Sequence, residues 1–121
     1  MVVVPEFLIK RIYKKGSLKK LDKGASVVLK NVLGPGFISG FNYVKINEII
    51  FNAQNVKFVT NGKEIQGTDV SESNPIAFRL GQEGTLVMMG QDCVVDGVNK
   101  IVIEAMNPEA GNVKLSVDDV V

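Results

Sequence analysis

Chemistry in this chain must be done without imidazole. The sequence holds one cysteine, Cys93, and no histidine. Ser-His-Asp and Cys-His machineries, His-ligated zinc and the usual neutral-pH proton shuttle are therefore excluded, and carboxylates, lysines and tyrosines remain. Cys93 lies in the acidic stretch "GQDCVVDG", with Asp92 beside it and Asp96 near. Negative neighbours raise a thiol's pKa, so the thiol is not activated, and a lone cysteine forms no intrachain disulfide. The same stretch half matches a calcium loop, with Asp92, Asp96 and Gly97 at the first, fifth and sixth positions. Val94 and Ile103 stand where the third and twelfth oxygen ligands belong, so it reads as a hairpin loop. Glu48, Glu64, Asp69 and Glu72 are the candidates for a carboxylate pair, and all fall in or beside turns, where solvated carboxylates are normal. No catalytic residue, cofactor site or metal site is assigned.

The glycine cluster of "NVLGPGFISGFNYVKI", Asn31 to Ile46, is the other feature with a catalytic look. A phosphate-binding Walker loop requires Gly, four residues, then Gly-Lys-Ser/Thr, and neither Gly34 nor Gly36 starts that count. A dinucleotide fingerprint from Gly34 fails at Ser39, and Pro35 removes a backbone donor. The following residues alternate like a strand, whereas a phosphate loop opens a helix. The cluster is a bend.

Interaction is the stronger reading. From Phe37 to Ile46 the chain reads as one extended strand, with Phe37, Phe41 and Tyr43 on one face and Ile38, Val44 and Ile46 on the other. A strand apolar on both faces is either central in a sheet or covered by another chain. The expected interface is Gly34, Pro35 and Gly36 with Phe37, Phe41 and Tyr43, its rings supplying most of the affinity. The expected partner is a second copy, giving a homo-oligomer, or an enzyme subunit.

Charge is unevenly spread. Residues 1–30 hold eight Lys or Arg against Glu6 and Asp22, a net +6; the other 91 hold six basic and eleven acidic groups, a net −5. Lys10, Arg11, Lys14, Lys15, Lys19, Lys20 and Lys23 read first as solvated groups guarding a sheet edge, second as a site for an acidic protein. Nucleic acid ranks last, because Tyr13 is the one aromatic available among them for base stacking.

These residues must be placed by short strands. "FLIKRIYKK" alternates with period two and reads as a strand leaving the core, and "ASVVLKNVL" as a second, with Ala25, Val27, Leu29 and Leu33 inward. Asn47-Glu48 is a hairpin tip, and Asn61-Gly62 between "NVKFVT" and "KEI" is the strongest hairpin signal. Thr68 or Asp69 caps a single helical turn that ends at Asn74-Pro75, and "IAFRL", "TLVMM", "NKIVIEAM" and "NVKLSVDDV" complete the set. The pattern predicts one all-β domain over residues 1–121, an antiparallel β-sandwich of about eight or nine strands, Ig-like or jelly-roll-like, with no helix of any length. The apolar start "MVVVPEFLIKRIYKK" is broken by Pro5 and Glu6 and carries its charges after the run, so it is no signal peptide. No apolar stretch reaches bilayer length, and a cytoplasmic protein without membrane contact is expected.

The order "VKINEIIFNAQNVKFVTNGKEI", Asp69-Val70, "PIAFRLG", "GTLVMM" and "DGVNKIVIEA" resembles the β subunits of C-glycoside deglycosidases and similar small archaeal chains, over about residues 38 to 105. The resemblance implies a non-catalytic β-sandwich subunit, with metal and substrate chemistry on a separate TIM-barrel subunit. Gly97-Val98-Asn99 stands where that family often has Gly-x-His. The functional expectation is an accessory β-sandwich subunit of a sugar-active or other enzyme complex. The alternatives are a small nucleic-acid-binding β protein and a stand-alone ligand-binding module, which would need a concave apolar pocket.

Overall fold

Residues that tolerate positive φ set where the chain reverses. Asn61 and Gly62 adopt φ of 52° and 76°, the conformation of a type I′ hairpin turn, and Asn47 adopts 56°. Between such turns the computed structural model, which describes residues 4–121, forms a mostly antiparallel β structure. Among the described residues the strands are β1 (Lys19–Leu21), β2 (Gly24–Lys30), β3 (Gly36–Ile38), β4 (Gly40–Ile46), β5 (Ile49–Asn52), β6 (Val56–Thr60), β7 (Lys63–Gln66), β8 (Ile76–Phe78), β9 (Glu83–Met89), β10 (Val98–Asn107) and β11 (Gly111–Val120). The Met1–Val3 part of the N-terminal run lies outside the described residues. No described helix is long and apolar enough to cross a membrane.

The strands form an all-β sandwich. One sheet has the order β1-β2-β9-β6-β7, the facing one β11-β10-β4-β5, and β3 pairs β8 as a small flap. The count exceeds the expected eight or nine because the Phe37–Ile46 run is two strands, β3 and β4, and because β1, at three residues, is too short to show a period. Phe58 on β6 ties the layers together. Its ring centroid lies 5.9 Å from that of Phe41 on β4 and 5.6 Å from that of Phe78 on β8, the latter edge-on, a geometry that aromatic quadrupoles favour. Val27, Val44, Ile46, Val56, Leu86 and Met88 fill the space around it with no exposed surface.

Three local readings need correction. "FLIKRIYKK" is not a strand. It forms α1 (Glu6–Ile9) and a 3-10 turn over Lys10–Ile12, starting from Pro5, whose carbonyl accepts the Leu8 and Ile9 N–H groups at 3.0 and 3.2 Å. Ile9, Ile12 and Tyr13 then point inward together, which is helical spacing hidden inside an apparent alternation. Second, the extended run from Phe37 to Ile46 is broken at Ser39 into β3 and β4. Within β4 a bulge at Asn42 shifts the register, since Glu104 pairs with Tyr43 but Ala105 with Phe41. The extra residue puts Phe41 on the same inward face as Val44 and Ile46, and Tyr43 on the outer one. Third, Ala25, Val27 and Leu29 are buried as expected, but Leu33 lies past the end of β2 and is 38% exposed. The single turn near Thr68 exists as a 3-10 turn over Gly67–Asp69, without the expected side-chain cap.

Gly84 on β9 faces the Phe58 ring so closely that a Cβ there would overlap it. Gly84→Ala should therefore displace the central ring and cost about 1–3 kcal/mol, the usual scale of overpacking. Urea unfolding would read this as a lowered midpoint; an unchanged midpoint would show that the Phe58 cluster yields freely.

Candidate functional site

At one end of the sandwich the sheets are not closed over each other. A cleft of about 280 Å³ opens there, walled by Val4, Ile9 and Ile12 of the N-terminal segment, Leu33 to Ile38 of the bend, and Ala105 to Val113 of the β10–β11 hairpin. Its floor is core: Leu29, Phe78, Ile103 and Leu115 are all nearly buried. The lining is carbon, with few polar groups, and its two asparagines are already engaged. Asn31 Nδ2 donates to the carbonyls of Gly34 and Phe78, each at 2.6 Å, while its Oδ1 accepts from the N–H groups of Leu33 and Gly34. Asn107 Nδ2 donates to the Phe37 carbonyl at 2.9 Å, and its Oδ1 accepts from Glu109 and Ala110. These two side chains fix the bend to β8 and to the β10–β11 hairpin. The sequence marks Asn107-Pro108 to Gly111 as a turn, and the turn is there; the bonds that both asparagines make to the bend were not foreseen, although an asparagine just ahead of a turn signal is the mark of an Asx turn.

The expected interface divides here. Gly34, Pro35, Gly36 and Phe37 line the cleft, and Phe37 is 51% exposed. Phe41 leaves the interface set: it is 6% exposed and packed on Phe58, because the bulge turned it inward. Tyr43 stays half-buried on the outer face of β4, opposite Glu104 and Asn52.

Two of the four carboxylate candidates are engaged apart from each other. Glu48 reaches Lys45 at 3.9 Å and Glu64 reaches Lys57 at 3.0 Å, on separate hairpins. Among the described residues no three Cys, Asp or Glu gather as a metal-binding group. Cys93 is buried, and that burial, with the Asp92 charge added, raises its thiol pKa. Its loop is held by Asn47, whose Nδ2 donates to the Cys93 carbonyl at 2.7 Å and to Oδ1 of fully buried Asn99 at 2.9 Å. All seven cations from Lys10 to Lys23 are exposed, and Lys14 lies 3.5 Å from Glu83.

Asp119 was not foreseen. It lies on the inward face of β11 with Leu115 and is 3% exposed. It accepts hydrogen bonds from the Tyr13 hydroxyl at 2.5 Å, from the backbone N–H of Gly16 at 3.0 Å and Leu18 at 3.3 Å, and from its neighbour Val120 at 2.9 Å. Burial alone would raise its pKa, but the Tyr13 and backbone donors favour the carboxylate more strongly, so the pKa is lowered. Burial first, and the bond to Asp119 second, push the Tyr13 phenol above its usual range. The pair fastens the N-terminal segment to the last strand, which keeps α1 in place as a wall of the cleft.

The family model for hydroxymethylglutaryl-CoA reductase, N-terminal domain, matches residues 8–121. The chain belongs to that family. No curated protein matches it. The resemblance to C-glycoside deglycosidase β subunits is thereby corrected. It was carried by a hairpin, an Asn-Gly turn and strand alternation, which any antiparallel sandwich shares, and it left out the N-terminal segment and all of β11. The reductase-domain match takes in both. With the resemblance fall the TIM-barrel partner subunit and the sugar substrate, which had no other support.

The Tyr13–Asp119 pair makes a prediction about pH. Asp119 has a folded pKa below its unfolded value, so its stabilisation is present above about pH 4 and is lost as pH falls through the folded pKa. Tyr13 has a raised folded pKa, so its contribution is complete below about pH 10 and is lost as pH rises beyond that. In urea unfolding across pH, Asp119→Asn should flatten the acid limb and Tyr13→Phe the alkaline one. Limbs unchanged by both substitutions would mean that other groups govern them.

Proposed function

We propose that this chain is a non-catalytic accessory β-sandwich module, working in the cytoplasm, that docks on the catalytic body of a hydroxymethylglutaryl-CoA reductase. The observation that carries this reading is the cleft and its rim. Phe37 and Leu33 stand exposed beside an opening floored by core residues, and clustered apolar surface of this kind favours contact with another protein surface. Membership in a family of reductase N-terminal domains supports the identity of the body it serves.

The cleft suits docking better than capture of the thioester itself. Coenzyme A carries phosphates, which are held by lysine, arginine or convergent N–H groups. Among the described residues, those lining this cleft include one carboxylate, Glu109, and no lysine or arginine. Its asparagines are spent on the bend. What it offers is shape and carbon surface, for which a partner's apolar side chains are the matching chemistry.

Sizing the purified chain with a reductase catalytic body from the same source should give a stoichiometric complex. Phe37→Ala should weaken the complex about tenfold or more. Because Phe37 is exposed, the melting temperature should stay within a few degrees. Absence of a complex, or one indifferent to both Phe37→Ala and Leu33→Ser, would end the docking reading.

A further inference from the structure

Five of the seven N-terminal cations, Lys14, Lys15, Lys19, Lys20 and Lys23, follow one margin of the sheet and its turn. Tyr13 bridges to Leu29, the Lys14 N–H donates to the Val28 carbonyl at 3.0 Å, and Ser17 Oγ accepts the Val28 N–H at 3.0 Å. From there Lys19, Lys20 and Leu21 pair with Ser26, Ala25 and Gly24. Residues 13–21 therefore run beside β2 as the outer margin of the five-stranded sheet. Along this margin and its turn, Lys14, Lys15, Lys19, Lys20 and Lys23 are exposed, against Asp22 and the Glu83 carboxylate near Lys14. β2 is the only pairing partner of β1 among the described residues, so its outward N–H and C=O groups are open to another strand.

We infer that this basic margin is a docking site for an extended acidic peptide segment, which adds a strand to β1 while its carboxylates meet the lysines. Lysines on an open edge repel ordinary strands by holding charge where a neighbour would have to bury it. A strand carrying Asp or Glu reverses that sign, and the guard becomes a selector. Nucleic acid fits less well. Tyr13, the aromatic within the run, is buried with its hydroxyl on Asp119, so it offers no stacking surface. A phosphate backbone also has no N–H donors for the β1 carbonyls, whereas a peptide supplies them. The inference uses residues outside the cleft and stands whether or not the docking reading does.

The test uses the full chain and a fluorescent peptide of eight alternating Glu and Val residues, read by anisotropy. The peptide should bind, and binding should weaken about tenfold as salt rises from about 0.05 to 0.5 M. N-methylation of the peptide backbone should abolish binding, and amide shifts should centre on Lys19–Leu21. The double variant Lys19→Glu, Lys20→Glu should lose at least about tenfold in affinity, and Lys15→Glu a smaller factor, with melting temperatures unchanged. No binding at low salt would overturn the inference. So would equal binding of the N-methylated peptide or of single-stranded DNA of the same charge, since either would reduce the effect to general polyanion attraction.

Discussion

A buried carboxylate must find donors or lose its charge, and Asp119 finds its donors on a segment more than a hundred residues away in sequence. That requirement organises one side of the molecule. Tyr13, Gly16 and Leu18 are drawn onto β11, so the chain between them runs along β2. α1, just upstream, stands against β11 and the cleft floor. Apolar burial drives the sandwich to form, through Phe58 and the aliphatic layers around it. The Asp119 bonds decide where the N-terminal segment lies on it. Both proposed surfaces depend on that placement: α1 gives the cleft a wall, and residues 13–21 form the basic margin.

The open end of the sandwich has a similar local cause. A facing pair of sheets would normally close over Leu29, Phe78, Ile103 and Leu115. Here the chain leaves β2 into a Gly-Pro-Gly bend, and Asn31 and Asn107 spend their polar atoms holding that bend away from the floor. The bend is thus a built rim. Its glycines and proline have no phosphate-binding role; they shape an edge on which Phe37 is displayed.

Features encoded by neighbouring residues were legible in the sequence. Asn61-Gly62 and Asn47 reverse the chain because asparagine and glycine tolerate positive φ, a property read one residue at a time. The strands after them follow from alternation. The errors arose where a local pattern had two meanings. Leu8, Ile9, Ile12 and Tyr13 fit both a strand period and a helical turn, and the chain takes the turn. Phe41 changed faces because a bulge at Asn42 is set by pairing with β10, which no local rule displays. Of the candidate site, the Gly34–Phe37 bend was visible as punctuation, but the cleft was not, because its walls come from three distant segments. Asp119 left one trace. On an alternating β11 it falls in step with Val113, Leu115 and Val117, a polar residue on an apolar face.

Hydrogen exchange addresses the role of Asp119 most directly, by comparing the native chain with Asp119→Ala. The Lys14 and Ser17 amides donate to backbone carbonyls, and the Leu18 amide to the carboxylate itself. If Asp119 positions the N-terminal segment on a sandwich that forms without it, these amides should lose protection in the variant while those of β2, β6 and β9 keep theirs. Undiminished protection at Lys14 and Ser17 would contradict the account, because the segment would then be held by packing alone. Equal loss across all the strands would contradict it too, because Asp119 would then be a support of the whole core.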